Sequence, residues 1–165
     1  MFEMKCRKYN EAELNEIAQL IYKAYINDEA LAAAFPEDNT RLEHIKQALS
    51  YCSANGEIHT VREDGCFTAA ALWSLPYQKP PYPNFGFNYT EPCCKLYMIA
   101  SVKPAMGSAL MHFALFRYEA PPLLLVCTTP EQETFFKGFG FTPVLKTDRG
   151  TVMLNDRKTI VKKDC

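Results

Sequence analysis

The chain has no unbroken apolar run of about 18 residues, the length a membrane-spanning helix requires, so no such helix is expected. It has no excess of cationic charge either. Its 18 Lys and Arg against 19 Asp and Glu leave a net charge of -1, too weak a field to attract nucleic acid or an anionic membrane. The basic group Arg157, Lys158, Lys162 and Lys163 is expected to be a solvated tail. Nor is there a C-x-x-C pair among Cys6, Cys52, Cys66, Cys93, Cys94, Cys127 and Cys165. The adjacent Cys93-Cys94 suits neither a tetrahedral zinc site nor a disulfide, so small buried thiols and no metal are expected. Met1-Phe2-Glu3-Met4-Lys5 lacks a charged stretch leading into an apolar one, so no secretion leader is expected and the expected location is the cytoplasm.

What is present is the balance of an ordinary globular chain, 48% apolar and 22% charged, in a length that suits a single domain, 1–165. Residues 3–9 alternate as a strand. From Glu11, the stripe Leu14, Ile17, Ala18, Ile21, Ala24 and Tyr25 has helical spacing. A second helix is expected from Asn39 or Thr40, where Thr40-x-x-Glu43 reads as a capping box, with Leu42, Ile45, Leu49 and Cys52 inward and Asn55-Gly56 as its stop. Residues 57–63 and 66–73 read as strands of a hairpin turned by Asp64-Gly65. A long proline-rich loop follows over 74–92. Residues 95–102 form a strand, 106–119 a helix, and the continuous apolar run 123–128 a strand buried on both faces. Thr129-Pro130 opens a short helix that Gly138 and Gly140 end, and a last hairpin pairs 144–147 with 151–155. The order β-α-α-β-β-β-α-β-α-β-β describes an α/β fold with a mixed sheet of about seven strands and about four helices.

Two stretches carry a resemblance. KLYMIASVKPAMGSALMHFAL, residues 95–115, and VCTTPEQETFFKGFGFTPV, residues 126–144 with its FF-x-x-FGF-x-x-V ending, are similar to the corresponding parts of the GNAT superfamily of acyl-CoA-dependent N-acyltransferases. The resemblance implies an acetyl-CoA cofactor and an amine-bearing small molecule or peptide as acceptor, with a homodimer as an open alternative. It also implies that backbone amides of Ile99, Ala100, Ser101 and Val102 pair with the pantetheine and the thioester oxygen. The pyrophosphate is then expected over the start of the third helix, at Gly107 and Ser108, with Lys103 as counter-charge. Val102-Lys103-Pro104-Ala105-Met106-Gly107-Ser108 is shorter by about five residues than the loop that wraps a diphosphate in that family, and it has no Gln or Arg. Gln132 or Glu131 and Phe136 stand where the family offers a pantetheine-binding Asn and an acidic Tyr; a phenyl ring donates no proton.

For the amine's proton the candidates are His59, Glu29 and Tyr97, with Glu57 and Glu63 beside them. His59 also reads as a solvated strand residue, and His112 as structural. Trp73, Tyr77, Tyr82, Phe85, Phe87 and Tyr89 either wall an acceptor pocket or pack the long loop onto the sheet. The expected function is N-acetyl transfer; the alternative is a GNAT-fold binding or regulatory module that has lost acetyl-CoA binding.

Overall fold

The structure is a computed structural model, described over residues 2–26, 32, 37–75, 92–148 and 150–156. Its elements run β1 (Phe2–Cys6), α1 (Glu11–Tyr25), α2 (Asp38–Asn55), β2 (Gly56–Glu63), β3 (Cys66–Ser74), β4 (Cys94–Ser101), α3 (Pro104–Arg117), β5 (Leu123–Cys127), α4 (Pro130–Lys137), β6 (Thr142–Thr147) and β7 (Gly150–Asn155). This is the expected order. One seven-stranded sheet has the order β1-β2-β3-β4-β5-β7-β6. β4 and β5 are parallel through Cys94↔Leu123 and Lys95↔Leu124, while β1–β2, β2–β3, β5–β7 and β6–β7 are antiparallel. The proline-rich loop lies almost wholly outside the described residues, as do Glu29, Tyr77, Tyr82, Phe85, Phe87, Tyr89 and the basic C-terminal group. Among the described residues no helix is long and apolar enough to cross a membrane.

The described residues fall into two compact units. The first comprises those of Met1–Ser74 and Tyr97–Phe113. Its hairpin turns at Asp64 and Gly65 with φ of 51° and 84°, the left-handed pair that a two-residue turn between twisted strands demands. β2 alternates over its first half, before the register shift at Val61 and Arg62. Ile58 joins Ile17, Ile21, Ile45, Leu49, Leu72, Met98 and Ala100 in a core beneath α1 and α2, whereas His59 turns the other way. Gly56 is fixed by crowding: a Cβ there would lie 1.8 Å from the Trp73 carbonyl oxygen.

Several boundaries differ from expectation. β1 ends at Cys6 because Tyr9 is drawn inward, its hydroxyl 2.7 Å from Thr60 Oγ1, and Asn10 must cap α1. α2 begins at Asp38 behind Glu37, so Thr40 lies inside the helix and is no cap; Asn39 Oδ1 instead takes the Thr40 N–H at 2.9 Å. α3 begins at Pro104, since a helix's first position loses nothing to a residue without an N–H. Cys52, Cys93, Cys94 and Cys127 are buried thiols as expected, but Cys66 at the hairpin is exposed.

The second unit comprises the described residues of Leu75–Leu96 and Ala114–Cys165. Cys93, Leu124, Val152 and Leu154 form its core, with β7 lying between β5 and β6. Thr129 caps α4, its hydroxyl accepting the Gln132 N–H at 3.2 Å. The FGF turn then folds back so that Phe141 packs edge-on against Phe136.

α1 opens with a reciprocal cap. Asn10 Oδ1 accepts the Glu13 N–H at 2.9 Å and Glu13 Oε2 accepts the Asn10 N–H at 3.0 Å, while Arg7 donates to both Glu13 oxygens. The Arg7 bonds first, and the Asn10 N–H second, hold the Glu13 carboxyl down at about 2. A carboxyl lowered on folding stabilises at neutral pH, and that contribution fades as pH falls from about 4.5 towards about 2. Asn10→Ala is expected to cost about 1 kcal/mol in urea unfolding at pH 7. Its stability should also depend less steeply on pH through that acid window than the parent's.

Candidate functional site

The C-terminal half of β4 carries the residues the sequence singles out, and its two edges differ. Val102 N–H donates to the Thr68 carbonyl of β3 at 2.9 Å. Strand alternation aims Ala100 the same way and turns Ile99 and Ser101 to the opposite edge. On that edge the Tyr25 hydroxyl, from the last turn of α1, donates to the Ile99 carbonyl at 2.9 Å and accepts the Ile99 N–H at 3.4 Å. One phenol thus meets both peptide groups of one strand residue. Exposure alternates along β4: Tyr97 is exposed, its ring centroid 5.5 Å from that of Tyr51 on α2, while Met98 enters the core beneath α1 and α2.

The turn after β4 is two residues, Val102 and Lys103, and the Met106 N–H closes it on the Lys103 carbonyl at 3.1 Å. Because α3 starts at Pro104, Gly107 and Ser108 lie about a turn inside the helix and not at its tip. Pro104 offers no N–H and the Met106 amide is engaged, so this terminus presents a thin anion site. Lys103 is held by Glu63, Nζ to Oε2 at 2.7 Å, on the surface.

The remaining candidates are placed as follows. In the second unit, Gln132 Oε1 accepts from Thr128 N at 2.8 Å and from Thr128 Oγ1 at 3.1 Å, which makes it a brace for its own loop. Phe136 is buried between Phe135 and Phe141. Glu131 is exposed. In the first unit His59 is 0% exposed and is not a solvated strand residue; its ring faces Phe113 of α3, on the side of the sheet opposite α1. Tyr97 is exposed against Tyr51, His112 stands on the exposed face of α3, and Trp73 is fully buried. Glu29 lies outside the described residues. Cys127 offers no nucleophile: burial first, and the Glu133 charge second, push its thiol up to about 12.

The residue that the sequence reading missed is Tyr25. At helical spacing it counts as one more apolar stripe position, and only the fold shows its hydroxyl reaching β4.

No protein-family model matches the sequence, and no curated protein matches it. Solved structures do. The histone acetyltransferase HPA2 and related acetyltransferase of Corynebacterium glutamicum superposes with a TM-score of 0.71 at 19% identity, covering 92% of this chain and 95% of that one. The PaiA N-acetyltransferase of Thermoplasma acidophilum, solved with coenzyme A, gives 0.63 at 10% over 93% and 98%. A GNAT-family protein from Desulfovibrio desulfuricans gives 0.59 at 14% over 93% and 96%. The chain has the GNAT fold. At these identities the likeness is one of architecture.

Glu63→Gln is expected to release Lys103 towards the start of α3. Coenzyme A binding, measured by calorimetry, should tighten by about two- to fivefold, the 0.3–1 kcal/mol of one exposed charge at a helix terminus. Unchanged affinity would show that Lys103 does not meet the diphosphate.

Proposed function

We propose that the chain is an N-acetyltransferase that takes the acetyl group of acetyl-CoA to an amine on a small molecule or peptide. The observation that carries this reading is the Tyr25 hydroxyl on the outward edge of β4, bonded to both peptide groups of Ile99. Those groups fit the thioester arm of the cofactor, because they already bond a partner that does not belong to the sheet. The diphosphate arm fits poorly, with a two-residue turn, a proline at the first helical position and Lys103 paired to Glu63.

When bound, acetyl-CoA supplies an activated acyl group and a thiolate leaving group. With the cofactor bound, the Ile99 N–H would hold the acyl oxygen, as a preset donor costs no reorganisation when charge develops there. Tyr25 is the proton donor beside it, a phenol within hydrogen-bond reach of the same edge. Phe136 cannot take that part. The amine's proton goes to solvent or to a group outside the described residues, since His59 is buried beneath α3, on the far side of the sheet from Tyr25.

The poor diphosphate fit favours a second reading, a GNAT-fold module that binds a ligand or partner without chemistry. Thermal unfolding in the presence of acetyl-CoA separates the two. A native-state ligand at 100 times its Kd adds about 2.7 kcal/mol, and that stabilisation is expected here at high cofactor concentration. Tyr25→Phe should keep the shift and lower acetyl transfer to a panel of amines by about 10²–10⁴. No stabilisation at any soluble concentration would leave the binding module as the reading. Full turnover in Tyr25→Phe would remove Tyr25 from the chemistry.

A further inference from the structure

On the face of the first unit opposite α1 and α2, β1 and β2 bring together three side chains that no part of the acyl-transfer reading uses. The register pairs Cys6 directly with His59, and strand alternation puts Glu57 on the same face two residues away. Ligand atoms of Cys6, Glu57 and His59 all lie within 4.8 Å of one another. His59 Nε2 and Glu57 Oε2 are 3.0 Å apart, the imidazole fully buried and the carboxylate 15% exposed. Phe113 closes one side, its ring edge-on to the imidazole at 4.9 Å, and the Trp73 ring lies 6.4 Å away.

We propose that Cys6, Glu57 and His59 form a binding site for Zn(II) or a divalent cation of similar softness. Two nitrogen or oxygen ligands on a tetrahedral zinc sit about 3.3 Å apart, and a thiolate sits about 3.5 Å from either, so small side-chain rotations close the set. Charge supports the assignment as strongly as distance does. Thiolate, carboxylate and neutral imidazole bring two negative charges to a 2+ ion, and a neutral assembly is the one a buried setting admits at least cost. The cation takes the place of the His59–Glu57 hydrogen bond and of the thiol proton, which leaves to solvent. Sulfur and imidazole donors select against Mg(II) and Ca(II), which take oxygen. Three protein ligands leave a fourth position for water. Cys6 and Glu57, both short of full burial, mark the side by which an ion enters.

Spacing along the chain could not show this site, because its ligands come from two strands distant in sequence. The test is titration of the whole, chelator-stripped protein with Co(II) under reducing conditions. One equivalent should bind, with a thiolate-to-cobalt charge-transfer band and the visible absorption of a four-coordinate ion, and one equivalent of Zn(II) should displace it. Cys6→Ser should abolish the charge-transfer band and weaken binding at least about tenfold, since even an outer partner of a ligand is worth that much. Cys66→Ser, at the exposed thiol, should leave the spectrum unchanged. Glu57→Gln serves if Cys6→Ser does not fold; it should keep the band and lose affinity. The proposal fails if no stoichiometric binding occurs, if the band survives Cys6→Ser, or if Glu57→Gln binds as tightly as the parent.

Discussion

The peptide groups of a buried strand must be paired, and β4 meets that demand with a different kind of partner at each stage. At its start the Cys94 N–H reaches the Pro122 carbonyl, and past its end the Val102 N–H reaches Thr68 on β3. Between them, Ile99 is met by a phenol. A backbone bond to another strand is reinforced by neighbours along a ladder. A bond to one side-chain hydroxyl has no such support and can be exchanged for a ligand's amide or carbonyl. That difference is why the Ile99 edge is the place proposed for binding.

What the sequence made legible were features written in local chemistry. Asp64-Gly65 needs only two left-handed residues to set the β2–β3 register, and both are present. The stripe of α1, the buried run of β5 and the Thr129 cap likewise depend on neighbours a few positions away. Boundaries moved where Tyr9 was drawn inward to Thr60, which shortens β1, or where Pro104 could be taken into a helix at no loss. The site was less legible, for a definite reason. Tyr25 with Ile99, Lys103 with Glu63, and Cys6 with His59 are pairs that only tertiary structure creates. A stripe pattern records that Tyr25 is apolar enough for a helix face and says nothing of where its oxygen lands. The same limit applies to His59: a β2 histidine on the face opposite Ile58 looks solvated until α3 covers it.

The start of α3 shows how a short turn thins an anion site. A helix terminus attracts anions because its first amides lack partners. Taking Pro104 into the first turn removes one donor outright, and closing Met106 on Lys103 occupies another. Lys103, just before the helix, is paired with Glu63. Each loss is worth a fraction of a kcal/mol to about 1 kcal/mol, and together they leave this terminus a weak place for an anion.

The alternation of β2 separates the two candidate centres of the first unit. Ile58 and Thr60 point into the layer with α1 and α2, where Tyr9 and Tyr25 bring their hydroxyls; Glu57 and His59 point beneath α3. A sheet one residue thick therefore holds a phenol on a strand edge on one side and a sulfur, nitrogen and oxygen cluster on the other. Fixing Cys6 to His59 and Glu57 through an ion would tie β1 to β2 on that second face, where the backbone ladder from Phe2↔Glu63 to Cys6↔His59 already joins them. Its stabilising effect would thus fall on an edge strand, the element with fewest partners of its own, while the register of β3 and β4 beneath Tyr25 stays as the core of α1 and α2 sets it.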